Sequence, residues 1–304
     1  YMLIVGETEI VPSFYVGESH FTTYAGIPDH VYESDLPYAN TGGNTARPEL
    51  VVGRIIGNNA AALQTPLSLI INVYEGTGGR TFNRSHALLI SGAGDGDTSQ
   101  FIPTVNIIRD ILQGEGWAVT RFHAAQNPGG DDTDFNTWKP WAINQDVLLF
   151  RDHGNTNNWG GMLSSGNVSS LNLAQGNSAP FGFGVACLAG NYERDGDYNL
   201  AEAFLEYGGA AYIGSTELSE RSTNSYAAKA FFRRWPVTDS IGVAFNNTKI
   251  AVWDTDSGWE SFDHEKLWAY EYNLYGCPKY GQTGGGVMAA MAPTLAPAAQ
   301  LPLQ

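Results

Sequence analysis

Two short apolar runs constrain this chain more than anything else in it. Asp146-Val147-Leu148-Leu149-Phe150 passes through Arg151 and Asp152 into His153-Gly154, and Phe181-Gly182-Phe183-Gly184-Val185-Ala186 passes into Cys187-Leu188-Ala189-Gly190. Short apolar runs bounded by turn residues suit strands buried on both faces of a mostly parallel sheet. Ligands in such sheets sit at the carboxyl ends of the strands. One strand therefore presents an imidazole and a neighbour presents a thiol at the same edge. A nucleophile beside a base is the minimum that covalent acyl transfer requires.

The rest of the chain alternates strand and helix. Residues 1–12 and 49–56 read as apolar strands, followed by helical spacing over Ala60–Tyr74 with Pro66 as an interruption. His86–Ile90, Val119–Phe122 and Ala210–Ile213 read as further strands. Helices are predicted at Pro103–Gln113, at Leu200–Tyr207 with a stop at Gly208-Gly209, and at Asn224–Arg234. This order predicts a three-layer α/β/α sandwich around a mostly parallel sheet. The polar joint Gly76–Ser85 divides a partial N-terminal subdomain, 1–80, from an adjoining catalytic subdomain, 81–281. Residues 282–304 are rich in Gly, Ala and Pro without periodicity and read as a linker.

His153-Gly154 with Trp159 shortly after, then Ala186-Cys187, then Ala201-Glu202-Ala203, resembles the catalytic domain of the gingipain family, cysteine endopeptidases with a caspase-like fold. The similarity extends to Tyr1-Met2-Leu3-Ile4-Val5-Gly6, Ser34-Asp35-Leu36-Pro37-Tyr38, Val52-Gly53-Arg54-Ile55 and Ile213-Gly214-Ser215-Thr216. Tyr275-Gly276-Cys277-Pro278 matches the family's closing segment with Cys in place of Asp. The resemblance implies a Cys187–His153 dyad that hydrolyses peptide bonds, with the amides of Gly154 and Cys187 holding the oxyanion. It implies Asp95 as the acidic group that orients the imidazole; Asp152, next to His153, points to the opposite face of an extended segment. It also places Trp159 at the rim of the site and Ser215-Thr216 at the border of the substrate pocket. Further domains are expected before and after this segment.

Composition agrees with an exported enzyme at the cell surface or outside it. A net charge of -15 with 16 Lys and Arg argues against a nucleic-acid partner. No apolar run approaches the length of a membrane span. The expected partner is a protein or peptide substrate. The chemistry requires no cofactor. The resemblance allows a structural calcium ion, for which Asp95, Asp97, Asp131, Asp132 and Asp134 are the right kind of ligand, but no spacing assigns a set.

The pattern departs from the family where specificity is set. Arginine-specific relatives carry an Asp at a position that falls here on Phe101 or Gln100, and a Trp at a position that falls on Arg221. A cation thus stands where an aromatic wall is expected, with Glu217 and Glu220 nearby. Two further readings stay open: a degenerate peptidase fold that binds a partner without cleaving it, and a scaffold module at a cell surface.

Overall fold

In the computed structural model, the described residues are 1–16, 32–42, 48–92, 98–123, 134–192, 198–235, 240–255 and 264–282. A central sheet of eight strands is built from β1 (Met2–Val5), β2 (Val52–Ile55), β3 (His86–Ser91), β4 (Ala118–His123), β5 (Val147–Arg151), β6 (Phe181–Val185), β7 (Ala211–Ser215) and β8 (Tyr272–Gly276). Their order across the sheet is β1-β2-β8-β7-β6-β5-β3-β4. Strands β7, β6, β5, β3 and β4 are parallel. Strands β1, β2 and β8 are parallel to one another and run the other way, so the two blocks meet at the antiparallel pair β7–β8. The expected sandwich and mostly parallel sheet are present. The sheet is continuous from residues before 80 to residues after it.

The apolar strands bury both faces, and their side chains alternate between two cores. Ala87, Leu89, Val147, Leu149, Phe181, Phe183 and Val185 face one core, which is closed by α2 (Thr98–Gly114), α4 (Arg221–Arg234) and α5 (Ile241–Trp253) through residues such as Val105, Ile108, Phe231 and Ala244. Leu88, Ile90, Leu148, Phe150, Tyr212 and Tyr275 face the other, with α3 (Leu200–Glu206), Trp138 and Trp159. An unbroken apolar run is the signature of a strand with a layer on each side.

Helix α1 (Ala60–Glu75) runs through Pro66 without a break. Asn59 caps it by accepting the Ala61 and Ala62 N–H groups, and Gly76 ends it in the left-handed conformation (φ 65°) that glycine adopts freely. Helix α4 begins at Arg221, a turn earlier than its apolar pattern predicts, because the Glu220 carboxylate caps it by accepting the Thr223 N–H at 2.6 Å. Strand β8 follows directly on α6 (His264–Glu271) and was not legible as a strand. Asp35 and Arg54 form a bidentate buried ion pair at 2.6 and 2.9 Å, and Arg54 also donates to the carbonyls of Gly6 and Val11.

Candidate active site

Strands β5 and β6 pair in parallel with Arg151 level with Val185. His153 and Cys187 each lie two residues beyond that pair, so they leave the sheet side by side at its carboxyl edge. The chain ends come very close there. A Cβ on Gly154 would lie 2.8 Å from the Ala186 Cβ and 2.9 Å from the Cys187 carbonyl oxygen. Only glycine fits that approach, which accounts for the Gly after the His. Both cysteines are free.

The turn after Cys187 is strained and tightly held. Leu188 has φ 55°, a left-handed conformation that costs a non-glycine residue about 1 kcal/mol. Leu188 N–H donates to the Glu217 carbonyl at 2.9 Å and Gly190 N–H to the Ser215 carbonyl at 2.7 Å. The segment after β7 thereby fixes the segment after β6. Ser219 completes the clasp: its N–H lies 3.4 Å from the Cys187 sulfur, its hydroxyl 3.8 Å, and the thiol donates to its carbonyl at 3.5 Å. Asn224 on α4 donates to the Ser219 hydroxyl at 2.6 Å. Burial pushes the Cys187 thiol up from its ordinary value; the Ser219 N–H and hydroxyl pull it down, the charge of Glu271 pushes it up, and the charge of Arg151 pulls it down.

Around His153, the Asp152 carboxylate turns back and accepts the His153 backbone N–H at 2.7 Å. Phe101, on α2, is fully buried and meets the imidazole edge to face at 5.7 Å. Two guanidinium groups lie over the Phe101 ring, Arg151 at 4.1 Å and Arg221 at 5.9 Å. The residues expected from alignment to border the pocket, Phe101 and Arg221, are therefore brought to the same corner as the imidazole. Glu220, expected near Arg221, is engaged as the cap of α4.

Two expectations need correction. Trp159 is not at the rim: it is 1% exposed, stacked on Phe150 at 5.0 Å, with its N–H donated to the Tyr212 hydroxyl at 2.9 Å. Ser215 and Thr216 do not present hydroxyls to a pocket. Both are fully buried; Ser215 donates to the Glu217 carbonyl, and Thr216 lies within hydrogen-bond distance of the Glu33 and Glu271 carbonyls. Polar side chains at these positions serve the backbone of the loop, since buried hydroxyls must find partners. Asp95, Asp97, Asp131 and Asp132 lie outside the described residues, and Asp134 caps a short helix by accepting the Asn136 N–H. Among the described residues no group of three or more acidic, His or Cys side chains is arranged to hold a metal ion.

Ser219, Asn224 and Arg151 were not singled out from the sequence. Nothing in the spacing marks Ser219, which reaches the thiol only because β7 lies beside β6. Arg151 was readable as a charge inside an apolar strand, the kind of residue that demands an explanation when buried.

Comparison with known proteins agrees with this fold. The profile of peptidase family C25 matches residues 1–280. The fold superposes on the Arg-specific cysteine proteinase gingipain R (RgpB) with a TM-score of 0.71 and 20% identity, over 91% of this chain and 62% of that one. For the complex of Porphyromonas gingivalis RgpB pro- and mature domains the values are 0.73 and 21%, over 92% and 64%. A third structure, described as a protease, gives 0.70 and 15%, over 92% and 64%. The chain thus spans less than two thirds of the length of these structures. No curated protein sequence matches it significantly. With its profile matched along nearly its whole described length and the gingipain fold around the Cys187 turn, the chain belongs to peptidase family C25, the gingipain-type cysteine peptidases.

Proposed function

We propose that the domain is a cysteine endopeptidase in which Cys187 is the nucleophile and His153 the general acid and base. One observation carries the reading: His153-Gly154 and Ala186-Cys187 leave adjacent parallel strands in register, with the missing Cβ of Gly154 packed against Ala186 and Cys187. Cys187 attacks the scissile carbonyl as its proton passes to His153, and His153 then protonates the leaving amine. The amides of Gly154 and Cys187 stabilise the oxyanion, a contribution worth roughly 3 kcal/mol per donor in well-studied cases. Asp95 is the candidate to orient the imidazole. Protein or peptide substrates and an extracellular or cell-surface location follow from the family. No helix among the described residues is long and apolar enough to cross a membrane.

Cys187→Ala is expected to abolish peptide hydrolysis, and Cys277→Ala to leave most of it. Cys277 packs against the opposite end of the core, near the Tyr74 hydroxyl. Retained hydrolysis in Cys187→Ala would end the dyad reading. Equal loss in both variants would instead assign the cysteines a structural role.

Selectivity for the residue before the cut bond follows from the corner around Phe101. An apolar ring fills the position where a carboxylate floor is expected, and Arg221 adds positive charge beside it. Where Arg221 points into the pocket, acidic or neutral side chains are preferred and Arg or Lys rejected; where Asp97 or Glu217 points in instead, a basic preference survives. Profiling a peptide library with wild type and Arg221→Ala checks this. Strong Arg cleavage, unchanged by the substitution, would remove Arg221 from specificity.

A further inference from the structure

We propose that Arg151 is a buried cation, left without a contacting carboxylate, whose charge favours the thiolate of Cys187. The proposal rests on the assignment of Cys187 and His153 above. Arg151 is 1% exposed and ends β5. Its N–H groups are all engaged. Nε and Nη2 donate to the Ser225 hydroxyl at 3.2 and 3.0 Å, Nη2 to the Arg221 carbonyl at 2.9 Å, and Nη1 to the carbonyls of Val185 and Asp152 at 3.2 and 3.4 Å. Every acceptor is a neutral oxygen. No ion pair to Arg151 is formed by a carboxylate among the described residues.

Arg54 supplies the contrast within the same sheet. It is equally buried, and Asp35 meets its guanidinium with two bonds. Burying a cation without an anion is costly, and neutral hydrogen bonds return only part of that cost. Burial brings the Arg151 guanidinium down to about 10, which still leaves it charged at neutral pH.

Its place in the strand says what the charge acts on. Arg151 is the last residue of β5 and is level with Val185, the last residue of β6, and His153 and Cys187 lie two residues beyond them. The guanidinium lies over the Phe101 ring that the imidazole also meets, and it interacts electrostatically with Cys187. With every donor occupied, Arg151 has none to offer a substrate, so it acts through space. As attack begins, the S–H bond of Cys187 breaks and the proton passes to His153, leaving a thiolate. A fixed positive charge in a water-poor site lowers the cost of that anion.

The other ionisable groups facing this corner are Asp152 and His153 beyond β5, Glu217, Glu220 and Arg221 beyond β7, Lys229 on α4, and Glu271 and Tyr272 where α6 meets β8. Burial raises the Glu271 carboxyl and the Tyr272 hydroxyl well above their ordinary values, and the Glu271 charge opposes that of Arg151 at Cys187. Glu220 is spent on the cap of α4. Arg221 adds positive charge from the other side of Phe101, and it is unchanged in every variant below.

The test measures the pH midpoint of Cys187 alkylation by iodoacetamide, in a Cys277→Ser background so that one thiol reports. Arg151→Met is expected to raise the midpoint by about one unit, a tenfold loss of thiolate below it. Arg151→Lys is expected to recover at least half of that shift. Ser225→Asp places a carboxylate on the guanidinium, neutralising it while keeping its bonds, and is expected to raise the midpoint as Arg151→Met does. If Arg151→Met does not fold, Ser225→Asp decides. An unmoved midpoint in Ser225→Asp, or equal midpoints in Arg151→Lys and Arg151→Met, overturns the proposal. Those outcomes leave the dyad reading standing, since that reading falls only if Cys187→Ala retains hydrolysis.

Discussion

Trp159 carries its one polar atom into the core, where the N–H meets the Tyr212 hydroxyl between stacked rings. Its role is to hold the hairpin of Gly154–Asn155 and Asn158–Trp159 against β5, and so to hold Gly154 beside Cys187. Trp159→Phe is expected to destabilise the fold by about 1 kcal/mol through the lost hydrogen bond, and Trp159→Ala by about 3–5 kcal/mol. Urea unfolding reads the difference. A raised KM in Trp159→Phe without loss of stability would return Trp159 to the substrate. At this scale His153 and Cys187 were legible because each ends an apolar run, a pattern one strand long. Trp159 was misread because proximity in sequence to His153 says nothing about which face of the hairpin a ring occupies. Ser219 was illegible for the related reason that its contact with Cys187 depends on β6 and β7 being neighbours.

Helix α3 shows how one element ties the β1–β2 end of the sheet to its middle. Asn199 and Glu202 form a reciprocal cap, the Asn199 side chain accepting the Glu202 N–H while Glu202 accepts the Asn199 N–H at 3.0 Å. Glu202 also accepts from Asn58, just after β2, at 2.8 Å, and it faces Glu7, just after β1. Burial, with the Glu7 carboxyl next, pushes the Glu202 carboxyl up from 4.5 to about 8. The folded protein therefore holds a proton at neutral pH that the unfolded chain releases. The stabilisation tied to that proton is complete below about pH 4.5 and is lost as pH rises through about 8. Glu202→Gln, which can keep the bonds from Asn199 on its one amide oxygen but cannot ionise, is expected to flatten the fall in Tm between those limits. Thermal unfolding at pH 5, 6.5 and 8 would check this; parallel slopes in both proteins would contradict it. The helix itself was legible from its apolar spacing and the Gly pair that ends it. The burial of Glu202 was not, because Asn58 and Glu7 come from distant parts of the chain.

At the scale of the whole molecule, the alternation of strand and helix was enough to indicate three layers, since apolar runs buried on both faces demand helices above and below. The reversal of β1, β2 and β8 was not readable, because strand direction depends on pairing rather than on local pattern. The place of β8 has a consequence for how the molecule comes into being. The last strand of the sheet is an inner one, lying between β2 and β7. Until Tyr272–Gly276 has been synthesised, the N-terminal pair and the five-stranded block have no strand to join them, and both expose an open edge. Pairings this distant in sequence also form slowly. Glu271 and Tyr272, which stand in the electrostatic surroundings of Cys187, arrive with that same strand. On the ribosome, Cys187 therefore emerges well before the strand that closes the sheet, and the turn that carries it waits in an unfinished sheet until Tyr272–Gly276 has been made.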